Sequence, residues 1–205
     1  MTMNKEIEAL IFDLGGVLIN LNYQATLDAF RDLGLEHEQL SYSQANQTHL
    51  FDDYETGQIS TQAFVNNIKN HVPHHVSANQ IVAAWNAMIL DFPIKKLELL
   101  ERLSVEKRIF LLSNTNALHM QKVERELAKV SDKKLHDYFE KVYLSHEIKM
   151  RKPHPEIFEF VCHDAGLNPS KTLFIDDSEQ HVIGAKSIGL NAIHLLNSED
   201  LLSHF

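Results

Sequence analysis

Five short apolar runs recur along the chain, each bounded by polar residues: "EALIFD" (8–13), "RIFLLSN" (108–114), "KVYLSH" (141–146), "TLFIDD" (172–177) and "NAIHLL" (191–196). Uninterrupted apolar runs of this length suit strands buried on both faces of a parallel sheet. Between the later runs, apolar residues recur at helical spacing. "PIKKLELLERLS" (93–104) shows this spacing. "HPEIFEFVCHDAG" (154–166) sets Pro155 near a helix start and Gly166 at its stop. "SEQHVIGAKSIGL" (178–190) offers Ser178 as a candidate N-cap and Gly189 as a candidate stop. Strands alternating with helices predict right-handed crossovers and a doubly wound, Rossmann-like α/β core with a parallel sheet.

The stretch from about Asn20 to Asp91 breaks this alternation. It has no convincing buried strand. It has helical patterns at 22–34, 60–72 and 77–90, the last opening with Ser77 and Gln80 at capping-box spacing. The expected organisation is a core made of residues 1–19 and 92–205, with an all-helical subdomain, 20–91, inserted after the first strand. An insertion there lies above the carboxyl ends of the strands, where open α/β sheets bind ligands. It is a natural lid.

Composition narrows the partners. A formal net charge of -9 opposes a general role on nucleic acid or an anionic membrane, since phosphate backbones need a basic footprint. A small phosphorylated ligand needs only a local site. The single cysteine, Cys162, permits no intrachain disulfide and fits a reducing compartment. It sits on the apolar side of a helical pattern, where core packing is the expected role. The first residues lack a secretory apolar region, and no apolar run has the length of a membrane span, so the expectation is a cytoplasmic protein. The cluster "HVPHH" (71–75) lacks the cysteine or carboxylate pattern of a zinc site and reads as a surface loop. Trp85 falls on a helical apolar position and reads as core.

Polar residues stand at three strand ends: Asp13 after the first run, Ser113 and Asn114 at the second, Asp176 and Asp177 at the fourth. In a parallel sheet these ends share one edge. "KMRKPHPEIF" adds Lys149, Arg151 and Lys152 just before a helix. Taken singly, each has an ordinary role as turn, cap or surface residue. Together they have a chemical logic. Carboxylates held close repel unless a cation joins them, and hard oxygen ligands suit Mg²⁺. A phosphate would then need a hydroxyl and a lysine, which Ser113 and Lys152 supply. A carboxylate left free on one face could attack phosphorus.

With these residues in order, the chain resembles the haloacid dehalogenase superfamily of phosphohydrolases. "FDLGGVL" resembles its first motif, "LLSNTN" its second, "RKPHPEIF" its third and "FIDDS" its fourth. The insertion resembles the helical cap that follows the first motif. The resemblance implies Asp13 as nucleophile, Ser113 and Asn114 with Lys152 as the phosphate-binding set, and Lys152 as catalytic lysine. It implies Mg²⁺ on Asp13, the Gly15 carbonyl, Asp176 and Asp177. "FDLGGVLINLN", "YETGQIS" and "LSNTNALH" are most similar to a small bacterial branch that includes glucose-1-phosphate phosphatases. That branch implies a sugar phosphate or another small phosphomonoester as substrate. The cap stretch "HLFDDYETGQIS" (49–60) would meet substrate hydroxyls or remain a solvated loop.

Gly15 departs from the family's phosphatase pattern, which has a second Asp there to protonate the leaving oxygen and activate water. Three outcomes follow: a phosphatase whose acid–base group comes from elsewhere, either the cap, with Tyr54 or His49 as a stand-in acid, or a bound water; a phosphate-binding regulatory protein that turns over slowly or not at all; or metal-free dehalogenation. The last leaves Asp176 and Asp177 as a repulsive pair without a purpose. The expected activity is Mg²⁺-dependent hydrolysis of a small phosphorylated metabolite through an aspartyl-phosphate.

Overall fold

The computed structural model describes residues 6–35 and 49–205. Five parallel strands form one sheet: β1 Ala9–Phe12, β2 Arg108–Ser113, β3 Lys141–Leu144, β4 Thr172–Asp176 and β5 Asn191–His194. Their spatial order is β3-β2-β1-β4-β5, so the chain crosses over at β1 and winds outwards on both sides. All five lie inside the apolar runs. The third run stops early because Ser145 and His146 turn directly into a helix.

Strand periodicity divides the core. Leu10, Phe12, Ile109, Leu111 and Ile175 pack into one buried cluster; Ile11, Phe110, Leu112 and Phe174 pack into another with Ile157, Phe158 and Val161. Alternate residues thus serve opposite faces, as a doubly covered sheet requires. Each fully buried side chain of this size contributes about 2 kcal/mol of transfer free energy.

Helices follow in chain order: α1 Tyr23–Asp32, α2 His49–Glu55, α3 Thr61–Lys69, α4 Ala78–Trp85, α5 Ile94–Ser104, α6 Ala117–Leu127, α7 Ser145–Ile148, α8 Pro155–Asp164, α9 Glu179–Ser187 and α10 Leu201–His204. The end signals hold. Pro155 opens α8, and Gly166 and Gly189 lie just past α8 and α9 with positive φ. Ser77 and Gln80 form the expected capping box. Ser178 does occupy the N-cap of α9, but its side chain makes no capping bond. Helix α6 lay outside the helical patterns read from the sequence. Its start is set by Asn116, whose side chain accepts from the His119 N–H. Cys162 is buried, and burial pushes its thiol up to about 11, which suits packing.

Helices α1 to α4 occupy the stretch between β1 and α5, with no strand among its described residues. Residues 36–48 of the expected insertion lie outside the described residues. Where this segment leaves and rejoins the sheet domain, two extended stretches run antiparallel. Asn20 N–H donates to the Asp91 carbonyl at 3.0 Å, Leu90 N–H to the Asn20 carbonyl at 3.0 Å and Asn22 N–H to the Met88 carbonyl at 2.9 Å. Aromatic rings fill the helical layer: Phe51 stacks on Trp85 at 5.1 Å and Tyr54 on Phe64 at 4.3 Å.

Candidate active site

The β1–β4 pairing builds the centre of the site. The Asp13 N–H donates to the Ile175 carbonyl at 2.9 Å, so Asp13 continues the ladder one residue beyond β1. Asp176 ends the neighbouring strand. Oxygens of Asp13, Asp176 and Asp177 all lie within 4.8 Å of one another. Lys152 closes the group from the loop before α8. Its fully buried Nζ donates to Asp13 Oδ1 at 2.7 Å and to Asp176 Oδ2 at 2.6 Å.

Asp176 has no exposure, and three donors hold it. Its Oδ1 accepts from the Ser178 N–H at 2.8 Å and pairs with His181 Nδ1 at 2.9 Å. Its Oδ2 takes Lys152. Burial alone would raise its pKa, but Lys152 and His181 overcome burial and hold it below the usual carboxylate range. Asp13 differs. Burial raises its pKa, Lys152 opposes the rise and Asp176 adds to it. Burial works against the Lys152 charge, yet Asp13 and Asp176 more than restore it, and the ammonium is favoured.

Three carboxylates crowd together here, and the Lys152 ammonium pairs with only two of them, Asp13 and Asp176. All the donors are oxygen, and a divalent cation such as Mg²⁺ relieves this repulsion. The residues fit that ion. Gly15 lines the cavity together with Asp13 and Lys152.

Ser113 and Asn114 also line the cavity, at the end of β2. Ser113 is buried, its nearest partner the Asn114 carbonyl at 3.5 Å. The Asn114 side chain is engaged with Lys152: Nδ2 donates to the Lys152 carbonyl and Oδ1 accepts the Lys152 N–H, both at 2.9 Å. At Gly15, an added Cβ would stand 2.6 Å from Leu21 Cδ1. The tip of the Leu21 side chain thus stands where a Cβ at residue 15 would begin.

The helical layer contributes Tyr23 and Glu55 to the cavity wall. Burial and the carboxylates of Asp177, Asp13, Glu55 and Asp176 hold the Tyr23 phenol protonated, its pKa well above the ordinary value. Glu55 is buried 3.9 Å from Arg151, which also pairs with Asp52. The Tyr54 hydroxyl meets Thr61 Oγ1 at 2.9 Å and the Leu118 N–H at 3.3 Å, so it ties helical layer to sheet domain. The side chain of His49 lies outside the described residues. No group of metal-binding residues other than the aspartates is found among the described residues, His71, His74 and His75 included. Lys149 does not line this cavity; it lines a separate groove with Asp52, Asp53 and Arg151.

Sequence reasoning missed Tyr23, Leu21, His119 and His181. His181 had a usable signal: five residues beyond Asp176, it lies in the first turn of the helix after β4. The others carry no local mark. His119 belongs to a buried network with Trp85 and Asn116. Trp85 Nε1–H donates to Asn116 Oδ1 at 3.2 Å, Asn116 Nδ2 to His119 Nδ1 at 3.1 Å, and His119 Nε2–H to the Trp85 carbonyl at 3.1 Å.

A model of haloacid dehalogenase-like hydrolases matches residues 7–189. D-ribitol-5-phosphate phosphatase of Bacteroides thetaiotaomicron is 29% identical over 194 residues, covering 95% of this chain and 94% of that protein. A haloacid dehalogenase-family enzyme of Bacteroides thetaiotaomicron, solved with magnesium and inorganic phosphate, superposes with a TM-score of 0.87. It is 39% identical, covering 92% of this chain and 93% of that one. A haloacid dehalogenase-like hydrolase from Porphyromonas gingivalis gives a TM-score of 0.82 at 29% identity, covering 92% and 90%.

Proposed function

The chain belongs to the haloacid dehalogenase-like hydrolases, and from that premise we propose that this phosphatase hydrolyses small phosphomonoesters, sugar or polyol phosphates, through an aspartyl-phosphate at Asp13. The observation that carries the reading is the meeting of Asp13, Asp176 and Asp177 within 4.8 Å, with the Lys152 ammonium paired to Asp13 and Asp176. Residues 1–19 and 92–205 form the catalytic core in this reading, and 20–91 form the cap that closes over it.

Asp13, Asp177, Asp176 and the Gly15 carbonyl would hold Mg²⁺. When bound, the ion would supply positive charge that relieves the carboxylate repulsion and favours the phosphoryl group in the site. The Asp13 carboxylate attacks phosphorus, forming an O–P bond as the bond to the substrate oxygen breaks. Lys152 neutralises charge on the transferring group, and the Ser113 hydroxyl donates to it, which is most of what phosphoryl transfer asks of a protein. Water then attacks phosphorus, breaks the bond to Asp13 and releases inorganic phosphate with the carboxylate restored. Gly15 contributes no side chain to the proton transfers, so the leaving oxygen draws its proton from water in the cavity. Glu55 and Tyr23 face the leaving group as hydrogen-bonding partners for its hydroxyls.

The test is phosphate release from a panel including ribitol 5-phosphate, glucose 1-phosphate and phosphoglycolate, with Mg²⁺ and with EDTA. Metal-dependent release that Asp13→Asn abolishes is the expected result. Release that survives Asp13→Asn sinks the nucleophile assignment. A second reading, a regulatory protein that holds a phosphorylated ligand without turnover, rests on Gly15, which brings no acid–base side chain to the site. Mg²⁺-dependent ligand binding with no release anywhere in the panel would select it.

A further inference from the structure

Lys152 lies in the stretch between α7 and α8, outside every strand and helix. No sheet ladder orients its backbone. Yet its Nζ must enter a fully buried position between two carboxylates on neighbouring strands. A long side chain reaches such a place only if its Cα is held, because each rotatable bond otherwise adds freedom that burial must remove.

Asn114 provides the hold. It stands immediately past the end of β2, so its own backbone is fixed by the sheet. Its amide donates to the Lys152 carbonyl and accepts the Lys152 N–H, each at 2.9 Å. These two bonds use both polar backbone groups of one residue, as a neighbouring strand would. An amide is the side-chain group that offers a donor and an acceptor side by side. A carboxylate could make only the bond from the N–H, and a hydroxyl could not span both groups.

We infer that Asn114 is a positioning residue, whose side-chain amide clamps the Lys152 backbone and so places Lys152 Nζ between Asp13 and Asp176. The inference rests on the phosphatase reading above for its purpose. It moves Asn114 from the phosphate-contacting set to the support of that set. One Nδ2 hydrogen is left over by the clamp, so direct contact with phosphate is the rival role.

A binding cycle separates the two. Calorimetry with inorganic phosphate and Mg²⁺ would use the full chain as wild type, Asn114→Ala, Lys152→Met and the double variant. Asn114→Ala should weaken phosphate binding about tenfold in the wild type and less than about twofold on Lys152→Met, because the clamp acts only through the lysine. An equal loss in both backgrounds, or none in either, overturns the clamp. Reductive methylation read by mass spectrometry gives a second test that needs no phosphate. Asn114→Ala, and the near-isosteric Asn114→Asp should Ala not fold, should raise labelling of Lys152 several-fold. Lys96, buried elsewhere on α5, should stay protected. Unchanged labelling of Lys152, or a parallel rise at both lysines, overturns the proposal. Wild-type protein that binds no phosphate would overturn the phosphatase reading instead, while the labelling result still judges the clamp.

Discussion

Acid should weaken the joint between the helical layer and the sheet domain, and His119 is the place to see it. The imidazole is 5% exposed and stacks on Trp85 at 4.6 Å. It accepts from Asn116 Nδ2 at Nδ1 and donates from Nε2 to the Trp85 carbonyl, an arrangement that suits the neutral ring. Protonation at Nδ1 would set two donors against each other. Burial accordingly lowers the His119 pKa from 6.5 to about 4, the bond to Trp85 opposing the fall only in part. A depressed folded value means that the unfolded chain takes up the proton first. The contribution is therefore fully present above about pH 6.5 and falls away as pH drops towards 4. Linkage over that interval gives a loss of about 2 kcal/mol between about pH 7 and about pH 5, and about 3 kcal/mol in all. Chemical denaturation at a series of pH values would measure it in the wild type and in His119→Gln. The variant will be less stable at neutral pH, but its stability should fall less steeply with acid, by about 1 kcal/mol per pH unit near pH 5.5. Parallel curves for the two proteins would refute the assignment of a buried neutral histidine.

Three further outcomes follow from the same geometry. Asp177→Asn should weaken Mg²⁺ binding by at least about tenfold while leaving the melting temperature without metal unchanged or raised, since it removes one of three crowded carboxylates; calorimetry with Mg²⁺ and a thermal melt check both halves. Gly57→Ala should cost about 2 kcal/mol or more and raise KM, because φ is +65° and the new Cβ would stand 2.2 Å from the His146 carbonyl oxygen, where the turn after α2 rests on the sheet domain. Ser145→Ala should destabilise by about 2 kcal/mol in a denaturant titration. Its buried hydroxyl lies 2.6 Å from the Glu55 carbonyl and 3.0 Å from the Thr115 carbonyl and accepts the Thr115 N–H at 2.9 Å, so methyl leaves those groups without it.

Much of this was readable along the chain because its physics is local. A strand buried on both faces must be apolar throughout, so "LIF", "IFLL" and "LFI" announce themselves without knowledge of their neighbours. A helix end must satisfy its own backbone, so Ser77 with Gln80, and Pro155, mark starts that the structure keeps. Parallel strands share one carboxyl edge, so Asp13, Ser113 and Asp176 could be brought together on paper from order alone. Only the tertiary structure decided what each polar group does there. Asn114 carries no mark of its tie to Lys152, 38 residues away, until the fold brings both ends of its amide to that residue's backbone. His119 carries no mark until Trp85, from a different layer, closes the ring of hydrogen bonds around it. Propensity, periodicity and capping act over a few residues and are written in consecutive letters. A side-chain hydrogen bond is settled by whichever partner the packed fold brings within about 3 Å, and that partner can stand anywhere in the chain.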